Sequence, residues 1–349
     1  MEPYRYSVYG LCLESEFRFR TPMTIAPSDA RLELRFRCEV GADGREPSVQ
    51  DGLYRSSEKN RFGESVVQIY ATATGVLMRF PRVADFRLSP GEISCRLMDP
   101  DLGFMVDVCL LGHVMAYYLE LSGVAAIHAG AVACGGRAVL FAADRTGGKS
   151  TLVASMVEAG FPLLADDIAA LDPRDGAVTC RHAFPQLKLT DEQARRFAGS
   201  AEGFDRVHPS FAKLSVPADR VGGVVTGSLP VARLYLLERC ALDGEAEHDA
   251  AVSVKPVAPG EALVQLVRHS FLAELLAGHA EWCGLADGGW RGPAGEGGGS
   301  LRTARFYRLA GIARAVEVKR LCYPSGYQHL PDIHAAVLAD LETLSPGET

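Results

Sequence analysis

Over the first hundred residues, apolar and polar positions alternate with period two. Arg31-Leu32-Glu33-Leu34-Arg35-Phe36-Arg37-Cys38 is the clearest stretch, and Val66-Val67-Gln68-Ile69-Tyr70 and Val76-Leu77-Met78-Arg79-Phe80 continue it. This spacing predicts half-buried strands, divided by turn clusters such as Gly41-Ala42-Asp43-Gly44. Around 105–121 the period lengthens. Met105, Val108, Cys109, Leu111, Met115, Tyr118 and Leu119 fit one broad helical face, and Ser122-Gly123 stops it. Two apolar runs, 124–132 and 138–141, are joined by Gly135-Gly136 and predict neighbouring buried strands with a tight turn. Beyond them the pattern predicts a helix over 151–159 capped by Gly160, a strand over 161–165 and a strand over 231–237. A helix over 259–277, a strand over 315–321 and a terminal helix over 333–344 complete the series. Residues 286–300 are glycine-rich and aperiodic, and read as a mobile loop or disordered insert.

This order describes an α/β chain, α+β overall, with a β-rich N-terminal region over 1–104 and a second region over 105–349. The length of 349 residues suggests about two domains, and 48% hydrophobic with 23% charged residues is ordinary for a sizeable core. A net charge of −7 without a basic run argues against a nucleic-acid partner. Met1-Glu2-Pro3-Tyr4-Arg5-Tyr6 has no apolar core of a signal peptide, and the longest apolar stretch, 108–119, contains His113 and reads as too short to span a bilayer. The expectation is a cytoplasmic protein with no membrane partner, and a homo-oligomer stays open. Nine scattered cysteines, with no Cys-x-x-Cys pair and no histidine at zinc-ligand spacing, read as small buried hydrophobes in a reducing compartment.

Chemistry concentrates in one stretch. Phe141-Ala142-Ala143 leads into Asp144-Arg145-Thr146-Gly147-Gly148-Lys149-Ser150-Thr151, a strand and small-residue turn that open a helix. Small residues are needed where backbone N–H groups close on phosphate oxygens. Lys149 is placed to reach the β- and γ-phosphates, Ser150 to ligate Mg²⁺, and the helix adds its positive end. Ala143 stands where the usual pattern has glycine, and Thr146 replaces another. An alanine there requires a negative φ. Seventeen residues after Lys149, the apolar run Leu163-Leu164-Ala165 ends in Asp166-Asp167. If that strand runs parallel, its carboxylates face the ligand crevice. One aspartate could hold Mg²⁺ through water, and the other could take a proton from an attacking hydroxyl. His128 lies in an apolar strand expected beside the one feeding the loop. Lys188 and Lys213 are cations in apolar stretches, either able to neutralise a transferring phosphoryl group. His182, His208, His269 and His329 lack such context and read as surface residues.

Ile127-His128-Ala129-Gly130-Ala131-Val132, the loop 143–150, and Gly160-Phe161-Pro162-Leu163-Leu164-Ala165-Asp166-Asp167 together resemble the catalytic core of the HPr kinase/phosphorylase family. The chain also resembles diverged HPr-kinase-like serine kinases found beside peptide-modification genes, including those acting on lasso-peptide precursors. Its start, with Tyr4-Arg5-Tyr6 and Tyr9-Gly10-Leu11, resembles them too. The resemblance covers 124–172 specifically and the rest of the C-terminal region weakly. It implies a P-loop core related to that of phosphoenolpyruvate carboxykinase, with 105–349 as the catalytic domain and 1–104 helping to recognise the acceptor. It implies Mg-ATP as phosphoryl donor and a serine of a peptide or small protein as acceptor. By position, His128 and Asp166 carry over as the acid/base assembly, Asp167 as the metal-side carboxylate with Ser150, and Lys149 to the phosphates. The family's arginine-containing segment after the acidic strand is not recognisable, which separates this chain from HPr itself as acceptor. A nucleotide-binding regulatory module without transfer and a small-metabolite kinase are the alternative readings.

Overall fold

The computed structural model describes residues 2–41, 51–239, 251–271, 273 and 301–343. The glycine-rich 286–300, the turn at 42–44 and the end of the helix expected over 259–277 lie outside the described residues. The fold is mixed α/β. By contacts it divides into Met1–Ala126 with Ser270–Arg308, and Ile127–His269 with Leu309–Thr349. This contact division falls after Ala126.

The first unit carries β1 (Tyr4–Val8), β2 (Leu11–Ser15), β3 (Thr24–Ile25), β4 (Leu34–Val40), β5 (Asp51–Arg55), β6 (Gln68–Thr72), β7 (Gly75–Phe80), β8 (Ala84–Ser89) and β9 (Glu92–Leu97). They form one nine-stranded sheet in the order β3-β1-β2-β4-β9-β8-β7-β6-β5. The β2–β4 and β4–β9 pairs are parallel. The period-two pattern is realised as expected: Leu34 and Phe36 on β4, and Ile93, Cys95 and Leu97 on β9, are buried. The strand expected from Arg31 starts at Leu34, because a turn occupies 27–30 and Glu33 is engaged with Cys12.

After β9 come α1 (Gly103–Cys109) and α2 (Met115–Leu121), joined by a wide turn in which Gly112 (φ −97°, ψ −107°) leaves the helical region. The helical stretch Pro100–Leu121 is 22 residues long, so by length and composition it could cross a bilayer, contrary to the expectation from 108–119. Packing accounts for its apolarity. Val114, Met115, Ala116 and Tyr117 have no exposed surface, and 61% of its most apolar window is buried inside the protein.

At the division sits β10 (Ala125–Ile127). The second unit begins with the hairpin of β11 (Ala129–Cys134) and β12 (Arg137–Ala142), antiparallel as the sequence suggests. Then follow α3 (Lys149–Glu158), β13 (Leu163–Ala165), β14 (Ala169–Arg174), β15 (Ala177–Arg181), β16 (Gln186–Thr190), α4 (Asp191–Ala198), β17 (Lys213–Pro217) and β18 (Leu229–Arg239). The series closes with β19 (Ser253–Pro256), α5 (Pro259–Arg268), α6 (Leu301–Ala315, which crosses the division), β20 (Val318–Tyr323) and α7 (Leu330–Glu342).

The second sheet is mixed. β12, β18 and β20 run parallel, so all three end on the same side. The β16–β17 pair forms a separate antiparallel ribbon. The core joins Val132, Val139 and Phe141 of the sheet to Leu152, Val153 and Met156 of α3, Leu189 of β16, Phe197 of α4, and Ile333 and Val337 of α7. β11 meets α3 at close range. A Cβ placed on Gly130 would lie 2.5 Å from Val153 Cγ2.

Candidate phosphate-binding and acid site

The carboxyl end of a parallel strand is where open α/β sheets present ligands. Three such ends meet here: Ala142 of β12, Arg239 of β18 and Tyr323 of β20. From Ala142 the chain turns through 143–148 into α3. The Gly147 amide donates to the Asp144 carbonyl at 2.9 Å, and the Tyr323 hydroxyl donates to the Gly147 carbonyl at 2.9 Å. Gly148, preceding the helix, has φ +92°, and a Cβ there would lie 2.7 Å from the Tyr323 hydroxyl and 3.5 Å from Arg239 Nη2. Glycine is therefore required on both backbone and steric grounds. Ala143 keeps φ out of the positive range, but Thr146 sits at φ +66°. For a β-branched residue that conformation is strained. Asp144 pairs with Arg268 at the end of α5 (2.6 Å), with both side chains more than half exposed, and Arg145 is exposed.

Lys149 is the first residue of α3 and is buried. Its ammonium lies 3.5 Å from Asp166 Oδ1 and 4.0 Å from Asp167 Oδ1. The structure thus brings the loop lysine and both aspartates together. β13, however, pairs antiparallel with β11. The acidic pair therefore does not sit at the end of a strand parallel to that neighbour; the turn after Ala165 aims it at the loop. Asp167 takes φ +74° in this turn, and its carbonyl lies 3.1 Å from His128 Nδ1.

The two aspartates differ in surroundings. The Asp166 side chain is 2% exposed, and its Oδ2 accepts from the Lys188 amide at 2.8 Å. The Asp167 side chain is 22% exposed. It accepts from Lys188 Nζ at 2.6 Å and lies 3.2 Å from His128 Nδ1. Burial alone would push the Asp167 carboxyl up, but Lys188, the His128 hydrogen bond and Lys149 together hold it well below the usual carboxylate range. Burial would likewise lower Lys188, and Asp167 outweighs it and raises the ammonium. His128 sits at the break between β10 and β11, where its amide donates to the His269 carbonyl at 2.6 Å.

The β16–β17 ribbon delivers the other two lysines. Thr190 of β16 pairs in register with Lys213 of β17, and Lys188 lies on the same face of β16 as Thr190. Lys213 Nζ donates to Ser150 Oγ at 3.0 Å. Burial lowers the Lys213 pKa. Thr151 Oγ1 accepts from Gln193 Nε2 at 2.7 Å, and Gln193 also completes the capping box of α4 with Thr190. Arg239, Tyr323 and Arg268 carry no motif signal in the sequence, whereas Gln193 stands in the capping-box pattern Thr190-Asp191-Glu192-Gln193. Of the histidines read as surface residues, His182 and His269 are buried.

Ser150 Oγ and the two carboxylates are hard oxygen donors, the type Mg²⁺ takes together with substrate phosphates. Among the described residues, no group of three or more His, Cys, Asp or Glu side chains could hold a metal by itself. The donor set fits a metal that arrives with a nucleotide rather than a closed protein cage.

No protein-family model matches the chain, and no curated protein matches it. Among solved structures it is similar to the Hpr(Ser) kinase/phosphatase from Coxiella burnetii, with a TM-score of 0.30 and 11% sequence identity over 62% of this chain and 95% of that one. At that level the likeness stands as a resemblance only.

Proposed function

We propose that the chain is an ATP-dependent serine kinase that phosphorylates a peptide or small protein. One observation carries the reading: the lysine opening α3, directly after a left-handed glycine, meets an aspartate pair within 4.0 Å. A structural turn has no need of a buried lysine facing two carboxylates.

In this reading the amides of 144–149 cradle the nucleotide phosphates and Lys149 spreads the charge of the transferring group. Ser150 and one of the two carboxylates would hold a Mg²⁺ that arrives with the nucleotide, which would supply further charge neutralisation. The acceptor hydroxyl needs a base it can reach. Exposure favours Asp167 with His128 for that task, and leaves the more buried Asp166 on the metal side, the reverse of the division the resemblance implies. As the acceptor oxygen bonds to the γ-phosphorus, the bridging P–O bond breaks and ADP leaves. The hydroxyl proton passes to Asp167, and His128 stabilises the site as it moves. A carboxylate of low pKa suffices, because the hydroxyl becomes acidic only as the new bond forms. The β-rich unit is proposed to recognise the acceptor.

The test is intact-mass analysis of peptides encoded beside the gene after incubation with the protein and Mg-ATP. A phosphoryl mass gain on a serine, absent with Asp167→Asn, is expected. Nucleotide binding with no gain on any acceptor would move the reading to a regulatory module or a metabolite kinase.

A further inference from the structure

The hydroxyl suited to a divalent cation and the carboxylate proposed as base are each held by an ammonium. Lys213 Nζ donates to Ser150 Oγ at 3.0 Å, and Lys188 Nζ donates to Asp167 Oδ2 at 2.6 Å. Lys149 and Lys188 pair with the two carboxylates, so the acidic pair is already neutralised by the chain itself. An ammonium and a divalent cation cannot share one hydroxyl oxygen at contact distance without strong repulsion. The two lysines arrive on the same face of one short ribbon, so their placement is built into the β16–β17 register.

The geometry points to Lys213 as a stand-in for the divalent cation: it holds Ser150 when no metal is present, and supports metal-free binding of nucleotide phosphates. This rests on the nucleotide-binding reading of the loop and adds a regulatory property to it. When the metal arrives with the nucleotide, Ser150 is ceded to it and the ammonium is displaced from the site. Lys213 and Mg²⁺ therefore substitute for each other, and the loss of one is felt most when the other is absent. Lys213 acts here as a positioning residue, through Ser150.

The experiment measures affinity for a fluorescent N-methylanthraniloyl ATP, with Mg²⁺ and with EDTA, for the full wild-type chain and for Lys213→Met. In EDTA the variant is expected to lose about tenfold or more, the effect of one charge-assisted hydrogen bond. In Mg²⁺ the loss is expected to stay below about threefold, because the metal fills the same position. Lys213→Arg, which keeps the charge, is expected to retain most of the EDTA affinity. Equal losses in both conditions, or no loss in either, would overturn the inference and leave the nucleotide reading standing. Wild type that binds no nucleotide under either condition would overturn that reading itself. Lys213→Gln serves as the truncation if the methionine variant does not fold, judged by its thermal transition.

Discussion

Thr146 is held at φ +66° in a loop where glycine would be free of strain. Thr146→Gly is expected to raise stability by about 1 kcal/mol, the size of the left-handed penalty, without loss of nucleotide affinity. Thermal unfolding checks the first part and a binding titration the second; a destabilised variant would mean that the threonine makes contacts worth more than its strain. Asp167 carries the proton in the proposed transfer. Asp167→Asn is expected to lower kcat by about a thousandfold with nucleotide affinity within about threefold, and transfer at the wild-type rate would remove it from the reaction. The same carboxylate has a stability signature. Its folded pKa lies well below 3.8, so its contribution is present above that value and disappears as pH falls through the folded one. Asp167→Asn should therefore flatten the acid limb of the stability profile, which pH-dependent denaturant unfolding would show.

At the scale of elements, β11 and α3 approach closely at Gly130 and Val153. Gly130→Ala would drive a methyl into Val153 and is expected to cost about 1–3 kcal/mol by overpacking. Adding Val153→Ala should recover part of that cost, and additive losses in the double variant would mean that the strand and helix are not in register there. The β11–β12 hairpin, α3 and the existence of β18 follow from patterns legible in the residues: two apolar runs around Gly135-Gly136, a glycine-lysine-serine turn, and an apolar run over 231–237; the parallel pairing of β12 with β18 does not. Other elements were less legible. β15, β17 and α4 do carry local signals, an alternation of buried positions in the two strands and the Thr190–Gln193 capping box, but these runs are short and no chemistry marks them. The orientation of β13 depends on its pairing with β11, which no local pattern reveals. The site follows the same division. Lys149, Ser150, Asp166, Asp167 and His128 stand in local motifs. Tyr323 reaches Gly147 from 176 positions away, and Arg239 lies beside Gly148 only because β18 and β20 end together. The pairing of Lys213 with Ser150, 63 positions apart, is set by ribbon register and leaves no trace in sequence spacing.

For the whole molecule, a net charge of −7 coexists with a cluster of lysines around the loop, so the proposed anionic ligand would be drawn by the site and not by the overall charge. Each unit has a sheet of its own, and the candidate site belongs wholly to the second. A nucleotide that binds the folded site stabilises it by mass action, by about 2.7 kcal/mol at a hundredfold excess over Kd. Scanning calorimetry of the full chain with and without Mg-ATP should show an upward shift of the transition that contains the second unit, and a profile unmoved by saturating nucleotide would contradict the site. The most direct test of the central claim is a calorimetric titration of ATP with Mg²⁺ into the wild-type chain and into a folded Lys149→Ala variant. The account predicts saturable one-to-one binding by the wild type and a loss of about tenfold or more in the variant. No binding by the wild type, or equal binding by both, would contradict it.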